Sequence, residues 1–247
     1  MIDPAIIRRG LASGEFFLEY LPTVSFLDNR CLGAEALVRW HHEGQLRMPN
    51  DFIEDIENTP ASGMLTYWVI DQVAAELGDW LRTTDNVSVH INIPPELLGR
   101  GGIEYAVTKA NLVDIVEKIV FELTERGLPD KLGIDELNCR SERVRVALDD
   151  AGITAAKLIL YSQINLDVLK LDKSFADSLI SGDRNSLHLD GLAALVRAST
   201  IDVIVEGIEH EAQVNILREI GITKGQGWYF SPPLSAAAFM QFHADCQ

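Results

Sequence analysis

The sequence predicts an α/β chain folded as a (β/α)8 TIM-like barrel with the first strand antiparallel to the rest. Three observations carry that expectation. Short β-rich runs recur along the 247 residues, helical patterns separate most of them, and the first two runs are joined by only "LDNR" (Leu27–Arg30). Strands alternating with helices make a mostly parallel sheet. A link that short leaves no room for a crossover helix, so it makes a hairpin.

The hairpin pairs Phe16–Phe26 with Cys31–Trp40. Further runs follow at Val87–Asn92, Ile119–Thr124, Arg145–Asp150, Val168–Asp172, Asp202–Ile208 and Gln226–Phe230. Helical patterns between them include Met64–Leu81, Ser186–Thr200 and Ala212–Ile220. No linker, low-complexity tract or internal repeat divides the chain, so residues 1–247 are expected to form a single domain. One barrel of this length is ordinary.

Composition narrows the function. A hydrophobic content of 47% is ample for a packed core. No apolar run reaches the ~18 residues of a membrane helix, so no membrane segment is expected. The start Met1-Ile2-Asp3-Pro4 lacks the basic and apolar stretches of a signal peptide. Cys31, Cys139 and Cys246 are odd in number and far apart, which suits a reduced, cytoplasmic protein. A formal charge of −16 argues against nucleic acid polymers as partners but leaves room for a small anion among local cations. His41-His42 projects divergently on a strand and is not expected to be a metal pair.

Polar residues recur near the ends of these apolar runs. The second carries Glu35, the third ends in Asn92, the fourth carries Glu122, and the fifth ends in Asp149 and Asp150. The sixth carries Lys170 and Asp172, the seventh Glu206 and Glu209, and the eighth begins with Gln226. In a barrel of this kind the C-terminal rim is where active sites form. Carboxylates converging there from five strands would repel and raise one another's pKa values. Two divalent cations resolve the repulsion, with Asp149 pointing inward and Asp150, already turning into the loop, reaching the second. A ligand set of oxygens without histidine or cysteine favours Mg²⁺ or Mn²⁺ over Zn²⁺. Paired hard cations suggest phosphodiester chemistry by an activated water.

"EALVRW" (Glu35–Trp40), "ELTE" (Glu122–Glu125), "DD" (Asp149–Asp150), "DVLKLD" (Asp167–Asp172), "VEGIE" (Val205–Glu209) and "GQGWYF" (Gly225–Phe230) together resemble the EAL domain family of cyclic di-GMP phosphodiesterases. The motifs keep the family's order from about Phe16 to about Phe239. The resemblance implies that Glu35, Asn92, Glu122 and Asp149 hold one metal, with Asp149 bridging, and that Asp150 helps hold a second. Glu206 would be a metal ligand or general base, Gln226 would orient water in the metal shell, and Lys170 would lie beside the bridging hydroxide and stabilise the attacked phosphate. Arg39 would contact a phosphate or guanine, Leu37 and Glu209 would support substrate binding, and Glu125 would anchor the loop after the aspartate pair. The implied reaction opens cyclic di-GMP to linear pGpG with two Mg²⁺ or Mn²⁺ ions per site, Ca²⁺ being inhibitory. Family members also form homodimers and follow sensory or GGDEF-type cyclase domains, and both are expectations for the native protein.

The chain departs from the family in places. Tyr20-Leu21-Pro22 replaces Tyr-Gln-Pro, and Asn92-Ile93-Pro94 replaces Asn-x-Ser. "DDAGIT" (Asp149–Thr154) replaces "DDFGTG", and Pro232 stands where a basic residue is common. Two readings of different class follow. One is an active phosphodiesterase, since the metal-shell residues and Lys170 are all present. The other is a non-catalytic cyclic di-GMP receptor or protein-interaction module with a degenerate loop. A barrel enzyme acting on some other phosphodiester is a third reading.

Overall fold

The computed structural model describes residues 3–94, 97, 101–124, 138, 143–152, 165–180 and 186–247. Glu125, Cys139, Ile153 and Thr154 lie outside the described residues. The strands are β1 (Phe16–Ser25), β2 (Cys31–His42), β3 (Gln45–Arg47), β4 (Ser88–Asn92), β5 (Ile119–Thr124), β6 (Arg145–Asp149), β7 (Val168–Leu171), β8 (Asp202–Val205) and β9 (Lys224–Gly225). Their order is β1-β9-β8-β7-β6-β5-β4-β2, and β2 pairs back onto β1 to close the barrel. β3 hangs from β2 as a hairpin outside that ring. β1 is antiparallel to both β2 and β9, whereas the pairs running from β2 through β4 to β9 are parallel. The expected fold class holds. The hairpin turn between β1 and β2 places Asn29 at φ 59, a left-handed conformation that asparagine tolerates better than most residues.

The last strand differs from expectation. Pairing occurs at Lys224–Gly225, just before the predicted Gln226–Phe230, and the chain then turns, with Phe230 and Ser231 N–H donating to the Gly227 carbonyl. Two glycines explain this. A Cβ on Gly225 would meet Ile208, Phe26 and the Val205 carbonyl, and one on Gly227, at φ 150, would meet the Ile208 backbone.

Helices cover the ring. Pro60–Thr83 extends the predicted Met64–Leu81, because Thr59 accepts from the Ala61 N–H and Pro60 fits the first turn. A helix not anticipated, Pro4–Ser13, is capped by Asp3 and ended by Gly14 at φ 72. Its Ile7 joins Phe16, Trp40, Phe52, Ile56, Ala61 and Leu65 in a separate apolar cluster.

The barrel interior sets up the site. Val120, Ala147, Val168 and Ile204 form a buried cluster of their own. Residues two apart on a strand point the same way. The next inward positions are therefore Glu122, Asp149, Lys170 and Glu206, a charged layer resting on an apolar floor.

Candidate active site

Lys170 stands at the centre of that layer, fully buried. Its Nζ lies 2.8 Å from Glu35 Oε2, 2.9 Å from each oxygen of Glu122, 3.2 Å from Asp149 Oδ1 and 2.6 Å from Glu206 Oε1. Amides orient the acids around it. Asn92 Nδ2 donates to Glu35 Oε1 at 2.9 Å. Gln226 Nε2 donates to Glu35 Oε2 at 2.7 Å and to Glu206 Oε1 at 3.1 Å, while its own Oε1 accepts from the Thr23 hydroxyl.

These contacts set the protonation of each group. Burial alone would raise the Glu35 carboxyl, but the charge and hydrogen bonds of Lys170, with those of Gln226 and Asn92, hold it at about 2. Burial, followed by the Glu35 charge, pushes Glu122 well above the carboxylate range. Glu206 is pushed up to about 8, mainly by burial; Lys170 opposes this, and Glu35 and Asp149 add to it. Burial works against the Lys170 ammonium, yet the surrounding carboxylates, Glu122 foremost, keep it charged well beyond the ordinary lysine range.

The donor set fits divalent cations. Four carboxylates face one ammonium, and Asp150 adds another acid at the mouth. Asp149 Oδ1 is buried and close to Lys170, but outside hydrogen-bonding geometry, so that oxygen has no hydrogen bond among the described residues. Ligand oxygens of Asp149, Asp150 and Glu206 lie within 4.8 Å of one another. An unsatisfied buried oxygen within a surplus of hard anionic oxygens is what a hard divalent cation would neutralise.

A cleft of about 530 Å³ opens from Glu35, Asn92, Asp149 and Asp150. It runs past Leu37 to a wall built from Ile53, Ile56 and Leu65, with Asn58 and Thr66 among its polar lining. Ile56 and Leu65 belong to the separate apolar cluster, so the packing of the N-terminal helix also shapes this wall.

Several expected residues sit elsewhere. Arg39 is buried and does not line the cleft; its Nε donates to Glu19 Oε2 at 2.7 Å and its Nη1 to the Val38 carbonyl. Glu209 is exposed and paired with Lys173 at 2.9 Å. Asp172 turns aside to accept from Ser174 N–H and hydroxyl, so the carboxylates around Lys170 come from four strands, not five. A histidine lies against the acid layer without belonging to the expected ligand set. His90 is buried on β4, and its Nδ1 lies 2.7 Å from Glu122 Oε1. Its position two residues before Asn92 in "VSVHIN" was the available signal, since that spacing puts both on the inward face.

Residues 5–233 match the model of the EAL domain. The chain is 28% identical over 243 residues to a probable cyclic di-GMP phosphodiesterase, PdeB, of Escherichia coli, covering 96% of this chain and 46% of that protein. It is 28% identical over 264 residues to the signaling protein YkoW of Bacillus subtilis, covering 96% of this chain and 30% of that protein. The chain thus spans less than half the length of these relatives. Among solved structures, the EAL enzyme Bd1971 in its cAMP and cyclic-di-GMP bound form superposes with a TM-score of 0.85 at 29% identity, over 97% of this chain and 68% of that one. The PaMucR phosphodiesterase in complex with c-di-GMP shares the fold, with a TM-score of 0.84 at 24% identity over 95% of this chain and 98% of that one. With its barrel closed, its acids gathered on Lys170 and its length matched almost throughout, this chain belongs to the EAL domain family.

Proposed function

We propose that the chain hydrolyses cyclic di-GMP to linear pGpG by in-line attack of water at the C-terminal rim, with two Mg²⁺ or Mn²⁺ ions bound. The observation that carries this reading is Lys170, fully buried and ringed by Glu35, Glu122, Asp149 and Glu206, of which Glu35 and Asp149 also line the cleft. Glu35, Asn92, Glu122 and Asp149 would hold one cation, and Asp150 with Glu206 the other. Bound there, such cations supply an acidified water and polarise the phosphate.

The protein's own groups do the rest. The Lys170 ammonium stabilises negative charge growing on the attacked phosphate. Glu206, less deeply buried than its neighbours, is placed to take a proton from the attacking water, and a proton passes to the 3′ oxygen as the P–O3′ bond breaks. Gln226, fixed by Thr23, aligns Glu35 and Glu206 and orients that water. Leu37 offers an apolar surface on the cleft wall. Arg39 reaches a phosphate only by leaving Glu19, and Glu209 reaches substrate only by leaving Lys173.

A receptor that binds the dinucleotide without cleaving it is the competing reading, motivated by the sequence "DDAGIT" (Asp149–Thr154) where the family has "DDFGTG". Incubating the purified chain with cyclic di-GMP and Mg²⁺ or Mn²⁺ separates the two. Appearance of pGpG on chromatography supports the enzyme; retained, intact dinucleotide supports the receptor.

A further inference from the structure

His90 has no part in the scheme above, yet it is buried directly beneath the acids. It shares the inward face of β4 with Asn92, and Asn92 is the cross-strand partner of Glu122. His90 Nδ1 lies 2.7 Å from Glu122 Oε1, and both side chains are sealed from solvent. A carboxylate is free to rotate about its last bond unless something fixes it. Here one oxygen is tied to the imidazole below while both stay within 2.9 Å of Lys170.

We propose that His90 is a positioning residue that locks the Glu122 carboxylate in the rotation presented to Lys170 and the adjoining cation position. This rests on reading Glu122 as a metal ligand. Outer partners of this kind orient ligating carboxylates, and their loss typically costs about 10–100-fold in metal affinity. A histidine that merely fills the core would be replaceable by any side chain of similar volume. Hydrogen bonding through Nδ1, by contrast, can be mimicked by the amide of an asparagine, which projects a polar group at a similar distance from the backbone.

The test compares Mn²⁺ binding by calorimetry and electron paramagnetic resonance in the full chain, His90→Leu and His90→Asn, with melting temperatures to confirm folding. His90→Leu should weaken Mn²⁺ binding by about tenfold or more and lower kcat more than it changes KM, and His90→Asn should recover most of both. Equal Mn²⁺ binding by His90→Leu and the unaltered chain, or equal losses in both variants, would overturn the proposal. Should either variant fail to fold, imidazole nitrogen NMR of the unaltered metal-free chain decides. A hydrogen-bonded Nδ1 supports the proposal and a free one overturns it. Failure of the unaltered chain to bind Mn²⁺ would instead contradict the proposed function, and this inference with it.

Discussion

Asp149 and Asp150 are neighbours in the chain, yet carboxylate oxygens of both lie within 4.8 Å of each other and of Glu206. Regular strand geometry would send consecutive side chains to opposite faces. Asp150 escapes the alternation by adopting φ 53 just after β6 ends. The left-handed turn brings a second acid to the same rim.

Asp150 should therefore be sensitive to both charge and backbone. Asp150→Asn keeps a side chain that tolerates the left-handed region, whereas Asp150→Ala adds a backbone cost of about 1–2 kcal/mol. Both should lose one of two Mn²⁺ ions in a binding titration. Only the alanine variant should also unfold at lower denaturant.

Lys170→Met removes the ammonium around which four acidic side chains gather. Breaking a buried ion pair on one side typically costs about 3–5 kcal/mol, so the metal-free variant should melt well below the unaltered chain. Added Mn²⁺ should restore much of that loss by neutralising the same acids. Turnover at saturating metal should still fall by about 10²–10³-fold, the usual effect of removing a group that stabilises charge on the reacting centre. Near-normal turnover would make the lysine purely structural.

Metal binding should release protons. Glu206, raised to about 8, and Glu122, raised well above the carboxylate range, hold protons at neutral pH in the metal-free site. Cation binding requires the carboxylates. Affinity for Mn²⁺ should rise as pH climbs from roughly 6 to 9, and calorimetry in buffers of different ionisation enthalpy should detect the released protons. Affinity that stays flat across this range would contradict the assigned protonation.

Mg²⁺ and Mn²⁺ should support turnover, and Ca²⁺ should bind but inhibit. Calcium's longer bonds and looser coordination spoil the spacing that in-line attack requires. A competition assay with fixed Mn²⁺ and rising Ca²⁺ checks this; full activity with Ca²⁺ alone would count against two-metal geometry.

The strands were legible because β-branched and apolar residues cluster in short runs, and the acids were legible because they fall at equivalent ends of those runs. Period-two alternation then carries Val120, Ala147, Val168 and Ile204 into Glu122, Asp149, Lys170 and Glu206. What was not legible depends on rotation and on competing local partners. Asp172 was captured by Ser174, Glu209 by Lys173 and Arg39 by Glu19, and no periodicity reveals which of two nearby charges a side chain will choose. The last strand pairs at Lys224–Gly225, just before the expected Gln226–Phe230, because the close approach that Gly225 allows is not visible in the pattern of residue types. His90 was missed because a polar residue inside a short apolar strand carries no sign of its partner across the sheet.

Hydrolysis of cyclic di-GMP in H₂¹⁸O with Mn²⁺, followed by mass spectrometry, tests the central claim most directly. The account predicts pGpG carrying a single ¹⁸O in its 5′ phosphate, formed by the unaltered chain and lost on chelation. Cyclic di-GMP recovered intact from a folded, Mn²⁺-loaded chain would contradict it.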